Sequence, residues 1–228
     1  MTLLFTALTY FIYIWTKRIN GKYKRIWTHP LILCPVALIC LLAVFRFPAA
    51  EYLTSSRLLT DMLGPATVAF AIPIYKHRHL IKKYSSIILF SVAAGSIAAI
   101  ISSYFMTFLV KASPEWILSV LPRSITTPIA IEVSKGIGGL PALTTVFVII
   151  TGIAGGIIGP QVIKLLSIRS PIAKGLMLGM AAHGVGTSKA MEYGELEGTF
   201  SSLSMILGGF MTLLWSYSLI PMLIKVFS

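Results

Sequence analysis

Long apolar runs with almost no charge inside them decide most of what this chain can become. The clearest are residues 31–47, 84–110, 143–163 and 200–226. A helix needs about 20 apolar residues to cross the hydrocarbon core of a bilayer, within a range near 17 to 25. Each run is long enough. Residues 2–15 are shorter and span only if Tyr10, Tyr13 and Trp15 sit at the interface, where aromatic rings settle. A soluble fold is excluded on surface grounds. Of 228 residues, 56% are hydrophobic and 11% charged, against roughly 25% charged in a soluble domain. A small domain has too much surface for so little polar cover. The sequence predicts an all-α polytopic membrane protein, with residues 1–228 forming a single transmembrane domain.

The formal net charge of +12 raises the question of nucleic acid, and its distribution answers it. Nine of the 19 basic residues fall in two short stretches between apolar runs: Lys17, Arg18, Lys22, Lys24 and Arg25, then Lys76, Arg78, Lys82 and Lys83. Cationic loops beside spans are what the positive-inside rule expects. No aromatic-basic patch lies outside apolar sequence, so no nucleic-acid partner is expected. The same rule puts residues 17–30 and 75–84 in the cytoplasm, with the N-terminus and residues 48–56 outside. Residues 2–15 lack a basic leading stretch and precede Lys17-Arg18, which reads as a first span and not a cleaved signal. Cys34 and Cys40 share one apolar run and read as small packing residues.

Three further apolar segments are interrupted. Residues 58–74 contain Gly64-Pro65-Ala66-Thr67, residues 116–133 contain Pro122-Arg123-Ser124-Ile125-Thr126-Thr127-Pro128, and residues 172–190 contain His183-Gly184-Val185-Gly186-Thr187. Proline removes a helical hydrogen bond and clashes with the preceding turn, and glycine opens backbone angles that other residues avoid. Non-helical backbone at membrane depth survives only inside protein or along a wet cavity. The breaks at Gly64, Pro65, Pro122 and Pro128 therefore predict discontinuous helices around such a cavity, against the plainer alternative of kinks or extramembrane loops. A weak internal repeat at 60 to 61 residues aligns Ala66-Thr67-Val68-Ala69-Phe70 with Thr127-Pro128-Ile129-Ala130-Ile131, and Ser91-Val92-Ala93-Ala94-Gly95 with Thr151-Gly152-Ile153-Ala154-Gly155. Repeats of this kind build secondary transporters. Eight spans result if every broken segment crosses. Seven result if one is re-entrant, which also brings Lys164, Arg169 and Lys174 inside.

Arg123 is the leading site candidate. A cation in the membrane region is costly and faces a partner or a watery cavity, and a guanidinium matches a carboxylate in a planar two-bond geometry. Ser124, Thr126 and Thr127 offer hydroxyls beside it, and Thr67 of the first break offers another. The alternative is an interfacial arginine after a short outer helix. Glu132 has three open roles: pairing with Arg123, coupling to a proton, or bonding Lys135 one helical turn along. His183 titrates near neutral pH and suits proton-coupled movement of a weak acid, with Gly184, Gly186 and Thr187 flanking it; a structural role is the alternative. Glu192, Glu195 and Glu197 read as a solvated connection. With seven acidic residues and no nucleophile-base set, paired-carboxylate site or metal-ligand cluster, no enzyme activity, cofactor or metal is expected.

The three breaks also carry a resemblance. The stretches from Leu63 to Lys76, from Leu121 to Ser134 and from Gly175 to Ala190 resemble the signature motifs of the LrgB/CidB family, and the likeness runs over essentially the whole chain. The arginine-containing second motif is more similar to CidB-like members than to LrgB proper. The resemblance implies a multi-pass protein of the bacterial cytoplasmic membrane that works with a small holin-like partner of the LrgA/CidA type, in homo- or hetero-oligomers. It implies one of two activities: movement of small carboxylates such as pyruvate or glycolate, or holin- and antiholin-like control of murein hydrolases and cell lysis.

Overall fold

The computed structural model describes residues 2–23, 28, 30–62, 65, 68–69 and 71–227. Gly64 and Thr67, with Leu63, Ala66 and Phe70 of the same broken segment, lie outside the described residues; Pro65 stands in a helical position. Among the described residues the chain is mainly helical, with no strand, and falls into two compact units, Met1–Ala71 and Ile72–Ser228.

In the first unit, α1 (Thr2–Tyr23), α2 (Pro30–Val44), α3 (Ala49–Ser55) and α4 (Arg57–Asp61) follow in order. Phe5 of α1 is buried between Phe47 and Tyr52, with ring centroids 4.8 and 5.7 Å away. The Thr9 hydroxyl meets the Tyr52 hydroxyl at 2.8 Å. α1 runs well past the 2–15 stretch and carries Lys17, Arg18 and Lys22 on its last turns. Cys34 is buried, Cys40 is exposed, and neither is bonded.

The second unit holds α5 (Ala71–Lys76), α6 (Arg78–Lys83), α7 (Ser85–Leu109), α8 (Pro114–Val120), α9 (Thr127–Ile137), α10 (Pro141–Leu165), α11 (Pro171–Tyr193), α12 (Glu195–Tyr217) and α13 (Leu219–Phe227). Proline opens α8, α10 and α11 and stands second in α9, where its missing N–H costs nothing and its fixed φ favours a helix. Among the described residues three helices are long and apolar enough to cross a membrane: α7, α10 and α12. They fall on three of the four runs the sequence marks most plainly, the fourth, 31–47, giving the shorter apolar helix α2; on that composition the protein is a membrane protein.

The broken segments fold back on themselves. On one continuous helix at about 1.5 Å per residue, Lys174 and Tyr193 would stand about 28 Å apart. Instead the Lys174 ammonium lies 5.3 Å from the centre of the Tyr193 ring, and Gly186 packs directly on the Leu178 carbonyl. α11 is a helical hairpin, hairpin B, that turns at His183 (φ 38°, ψ −119°). α8 and α9 form a second one, hairpin A. It doubles back where Ser119, late in α8, meets the chain beyond α9: its hydroxyl accepts from the Leu140 N–H at 2.8 Å and its carbonyl from the Thr144 hydroxyl at 2.9 Å.

The hairpins enter from opposite ends of the second unit. Hairpin A follows the C-terminal end of α7. Hairpin B follows α10, which has run back to the end where α6 lies. Lys76 reaches Glu195, the first residue of α12, at 2.7 Å at that same end. Small residues let the layers approach. A side-chain carbon at Gly155 of α10 would stand 2.7 Å from the Ala181 carbonyl, and one at Gly175 would stand 2.5 Å from the Glu197 carbonyl of α12. Close approach through glycine is how helices gain contact where lipid removes the hydrophobic drive. The Glu192–Glu197 stretch is less of a loop than expected: Glu192 and Glu195 are exposed, but α12 starts at once and buries Glu197.

Candidate functional site

The tips of the two hairpins meet each other. In hairpin A the helix stops at a 3₁₀ turn, Leu121–Ser124, inside which Pro122 leaves helical angles (φ −84°, ψ 16°). Ile125 and Thr126 are extended before α9 begins. The extended step tucks Ile125 into a buried cluster with Ala130, Val133 and Val148, which turns Arg123 and Ser124 toward α7, α10 and hairpin B. In hairpin B the change of angle at His183 turns its flanking peptides out of helical register. The Ser124 hydroxyl donates to the Met180 carbonyl at 2.9 Å, and the His183 ring lies against the Arg123 backbone. Hairpin A thus supplies a side chain that satisfies a backbone carbonyl of hairpin B beside its break.

Beside this junction lies a cavity of about 700 Å³. Its deep end is formed by Arg123 and Ser124, Thr151 of α10 and Ala99 of α7. Its other end is formed by Tyr84 and by Ser170, the N-cap of α11. Ser91 and Gly95 line one wall and the first arm of hairpin B, including Leu176, Met177 and Met180, lines another. Most of the lining is apolar, so a charge at the deep end acts in a medium that screens it weakly.

Arg123 is half-buried. Its Nε donates to the Ser103 hydroxyl at 2.7 Å and its Nη1 to the Thr151 hydroxyl at 3.3 Å. Among the described residues no carboxylate pairs with it. Glu132, which the sequence offered as a partner, is exposed and bonds Lys135 at 2.8 Å. His183 is buried, its Nε2 has no hydrogen-bond partner, and its ring fills the space over Gly152, where a side-chain carbon would stand 2.8 Å from Cε1. It does not line the cavity.

The remaining sequence candidates separate. Thr126 and Thr127 are half-buried at the start of α9, off the cavity wall, and Pro128 is exposed. Gly184 faces open space. Gly186 and Thr187 serve packing within hairpin B and against α12, where Thr187 bonds the Ser201 hydroxyl at 3.0 Å. Ser103 and the Met180 carbonyl went unnoticed in the sequence. Thr151 and Ser91 had a trace there: they occupy matched positions of the internal repeat, and both line the cavity.

Fold and cavity together define a helical membrane protein built on paired, broken helical hairpins, with a single arginine where they meet. The chain belongs to the LrgB-like family, whose model matches residues 9–224. It is 48% identical to the uncharacterized protein YwbG of Bacillus subtilis over 206 residues, covering 90% of this chain and 92% of that one. It is 37% identical to the holin-like protein CidB of Staphylococcus aureus over 229 residues, covering 99% and 96%. To the CidB of Staphylococcus epidermidis it is 35% identical over 224 residues, covering 98% and 96%. No solved structure matches.

Proposed function

We propose that this protein is a transporter, or the transport subunit, for small monocarboxylates of the pyruvate or glycolate kind, working with a small LrgA/CidA-type membrane partner in the bacterial cytoplasmic membrane. The observation that carries the reading is Arg123. It lies at the deep end of a cavity at the junction of two broken hairpins, with no carboxylate of the described protein to neutralise it. A scaffold has no use for that arrangement, because an uncompensated cation away from water is costly. A carrier of anions needs it. One cation with no second beside it in the cavity wall fits a monoanion better than a dianion or a neutral solute.

The chain folds as one transmembrane domain in this reading, with its N-terminus outside. Hairpins A and B dip in from opposite faces, each as a re-entrant segment. Lys76, Arg78, Lys82, Lys83, Lys164, Arg169 and Lys174 then all stand on the cytoplasmic side, as the positive-inside rule favours. Hairpin plus span occurs twice in succession, A with α10 and B with α12, in opposite orientations. That is the inverted-repeat plan of secondary transporters, whose sites lie at the midplane where discontinuous helices meet. His183 is the protonation-sensitive element in this scheme.

The test is uptake of labelled pyruvate and glycolate into proteoliposomes, with and without the companion protein. Saturable wild-type uptake that Arg123→Ala reduces at least about a hundredfold is the expected result, since a hydrogen-bonded charge pair removed from one side is worth several kcal/mol. Equal uptake by the two proteins refutes the site.

The name of the staphylococcal relatives, holin-like protein CidB, favours a second reading. There the chain modulates murein hydrolase activity and lysis through hetero-oligomers, without a solute path of its own. It predicts partner-dependent leakage of vesicle dye that Arg123→Ala leaves unchanged.

A further inference from the structure

How Arg123 is held bears on how it receives its ligand, and the argument rests on the monocarboxylate reading above. A guanidinium has five N–H donors in a rigid plane. One is on Nε and two are on each terminal nitrogen. Nε–H is spent on Ser103 and one N–H of Nη1 on Thr151. One N–H of Nη1 and both of Nη2 remain.

The two hydroxyls are not equivalent. Ser103 is 2% exposed, and its own proton goes to the Ala99 carbonyl at 2.6 Å. Toward Arg123 it acts only as an acceptor, fixed in direction by α7. It closes the face of the guanidinium that a carboxylate would otherwise bridge between Nε and Nη2. Thr151, by contrast, spends a lone pair on Arg123 and keeps its O–H to donate, and it lines the cavity. Together they hold the plane of a long flexible side chain from two different helices, α7 and α10. Freedom removed before binding is not lost on binding.

We infer that Ser103 and Thr151 are positioning residues for Arg123: they present its terminal nitrogens, and not its Nε face, to the carboxylate of the solute, with the Thr151 hydroxyl as a further donor. Neither residue belongs to the three signature stretches, and each acts through the arginine.

The experiment is labelled pyruvate uptake at graded concentration in proteoliposomes, on full-length wild type and Ser103→Ala, Thr151→Val, Ser103→Thr, Thr151→Ser and Arg123→Lys. Thermal unfolding of each purified protein serves as the check on folding. Ser103→Ala and Thr151→Val raise the half-saturating concentration about tenfold and leave the maximal rate within about twofold, the size expected for one hydrogen bond to a charged group. Ser103→Thr and Thr151→Ser, which keep the hydroxyl, stay within about twofold of wild type. Arg123→Lys is not rescued by either neighbour, because an ammonium has no planar fork to hold. Folded Ser103→Ala and Thr151→Val with wild-type half-saturation overturn the inference while leaving the transport reading standing. A wild type without saturable uptake of any small carboxylate overturns both. Hydroxyl-keeping variants as impaired as the others also overturn it, since shape and not hydrogen bonding would then be the cause.

Discussion

Hairpin A reverses direction through the whole stretch from Leu121 to Thr126, whereas hairpin B does so at one residue, His183. The first reversal is written locally. Pro122 lacks an N–H for the helical ladder, Ile125 and Thr126 adopt ordinary extended angles, and Pro128 restarts the helix. The second is imposed from outside. A non-glycine residue at φ 38° and ψ −119° costs of order 1–3 kcal/mol and persists only where its surroundings over-determine it. Here the surroundings are Gly152 under the ring and the Arg123 backbone against it. The comparison teaches that one tip is a rigid platform for the arginine, and the other is a strained turn that keeps its shape by docking on that platform.

The comparison breaks most completely if the hairpins do not enter from opposite faces. With Cys34 and Cys40 replaced by serine, Ser170→Cys and Glu192→Cys mark the two ends of hairpin B, and Ser113→Cys and Leu140→Cys those of hairpin A. A membrane-impermeant maleimide applied to sealed vesicles of one orientation should label one pair and spare the other. In inverted vesicles the pattern should exchange. Labelling of Ser170→Cys and Glu192→Cys from different sides would return α11 to a single crossing.

Next in size is the fold of hairpin B itself. A side-chain carbon at Gly186 falls inside the van der Waals envelope of the Leu178 carbonyl oxygen and 3.0 Å from the Ala182 side chain. Backbone cannot swing aside as a flexible side chain can, so Gly186→Ala forces the arms apart at a cost of about 3 kcal/mol, the upper end for overpacking. For a chain of this size that lowers the unfolding temperature in detergent by roughly 10 °C. A drop below about 2 °C would mean that the two arms do not touch there.

Much of this was legible in advance, for a physical reason. Crossing a bilayer demands length and apolarity, both properties of a local stretch, and α7, α10 and α12 lie within a few residues of their runs except where α12 begins early at Glu195 and ends at Tyr217. The locations of the breaks at Pro122 and at His183 were equally local. Whether a break bends, crosses or reverses was not, because it depends on contacts between residues far apart in sequence, such as Ser119 with Leu140 and Lys174 with Tyr193. The same holds for the partners of Arg123. Ser103 is one of several serines on an apolar helix, and only the approach of hairpin A to α7 singles it out. Glu197 read as part of a solvated link because acidic clusters usually are, yet the helix it opens packs against hairpin B and covers it.

The position of the positive φ in hairpin B runs against the expectation that a glycine takes the unusual angle. His183 has it, while Gly184 and Gly186 on either side of Val185 do not. That yields the smallest effect and the sharpest contrast with Gly186. A side-chain carbon at Gly184 meets nothing within 4 Å, and its φ lies outside the left-handed range. Gly184→Ala should therefore be neutral or stabilising by about 0.5 kcal/mol, through lost freedom of the unfolded chain, which shows as an unchanged or slightly raised unfolding temperature. Uptake discriminates further. If the backbone of Gly184 comes close to the solute, as its place in the third break first invited one to think, the added methyl raises half-saturation while stability holds. If the glycine only eases the turn at His183, both quantities stay at wild-type values, as its open surroundings and its distance from the cavity wall predict.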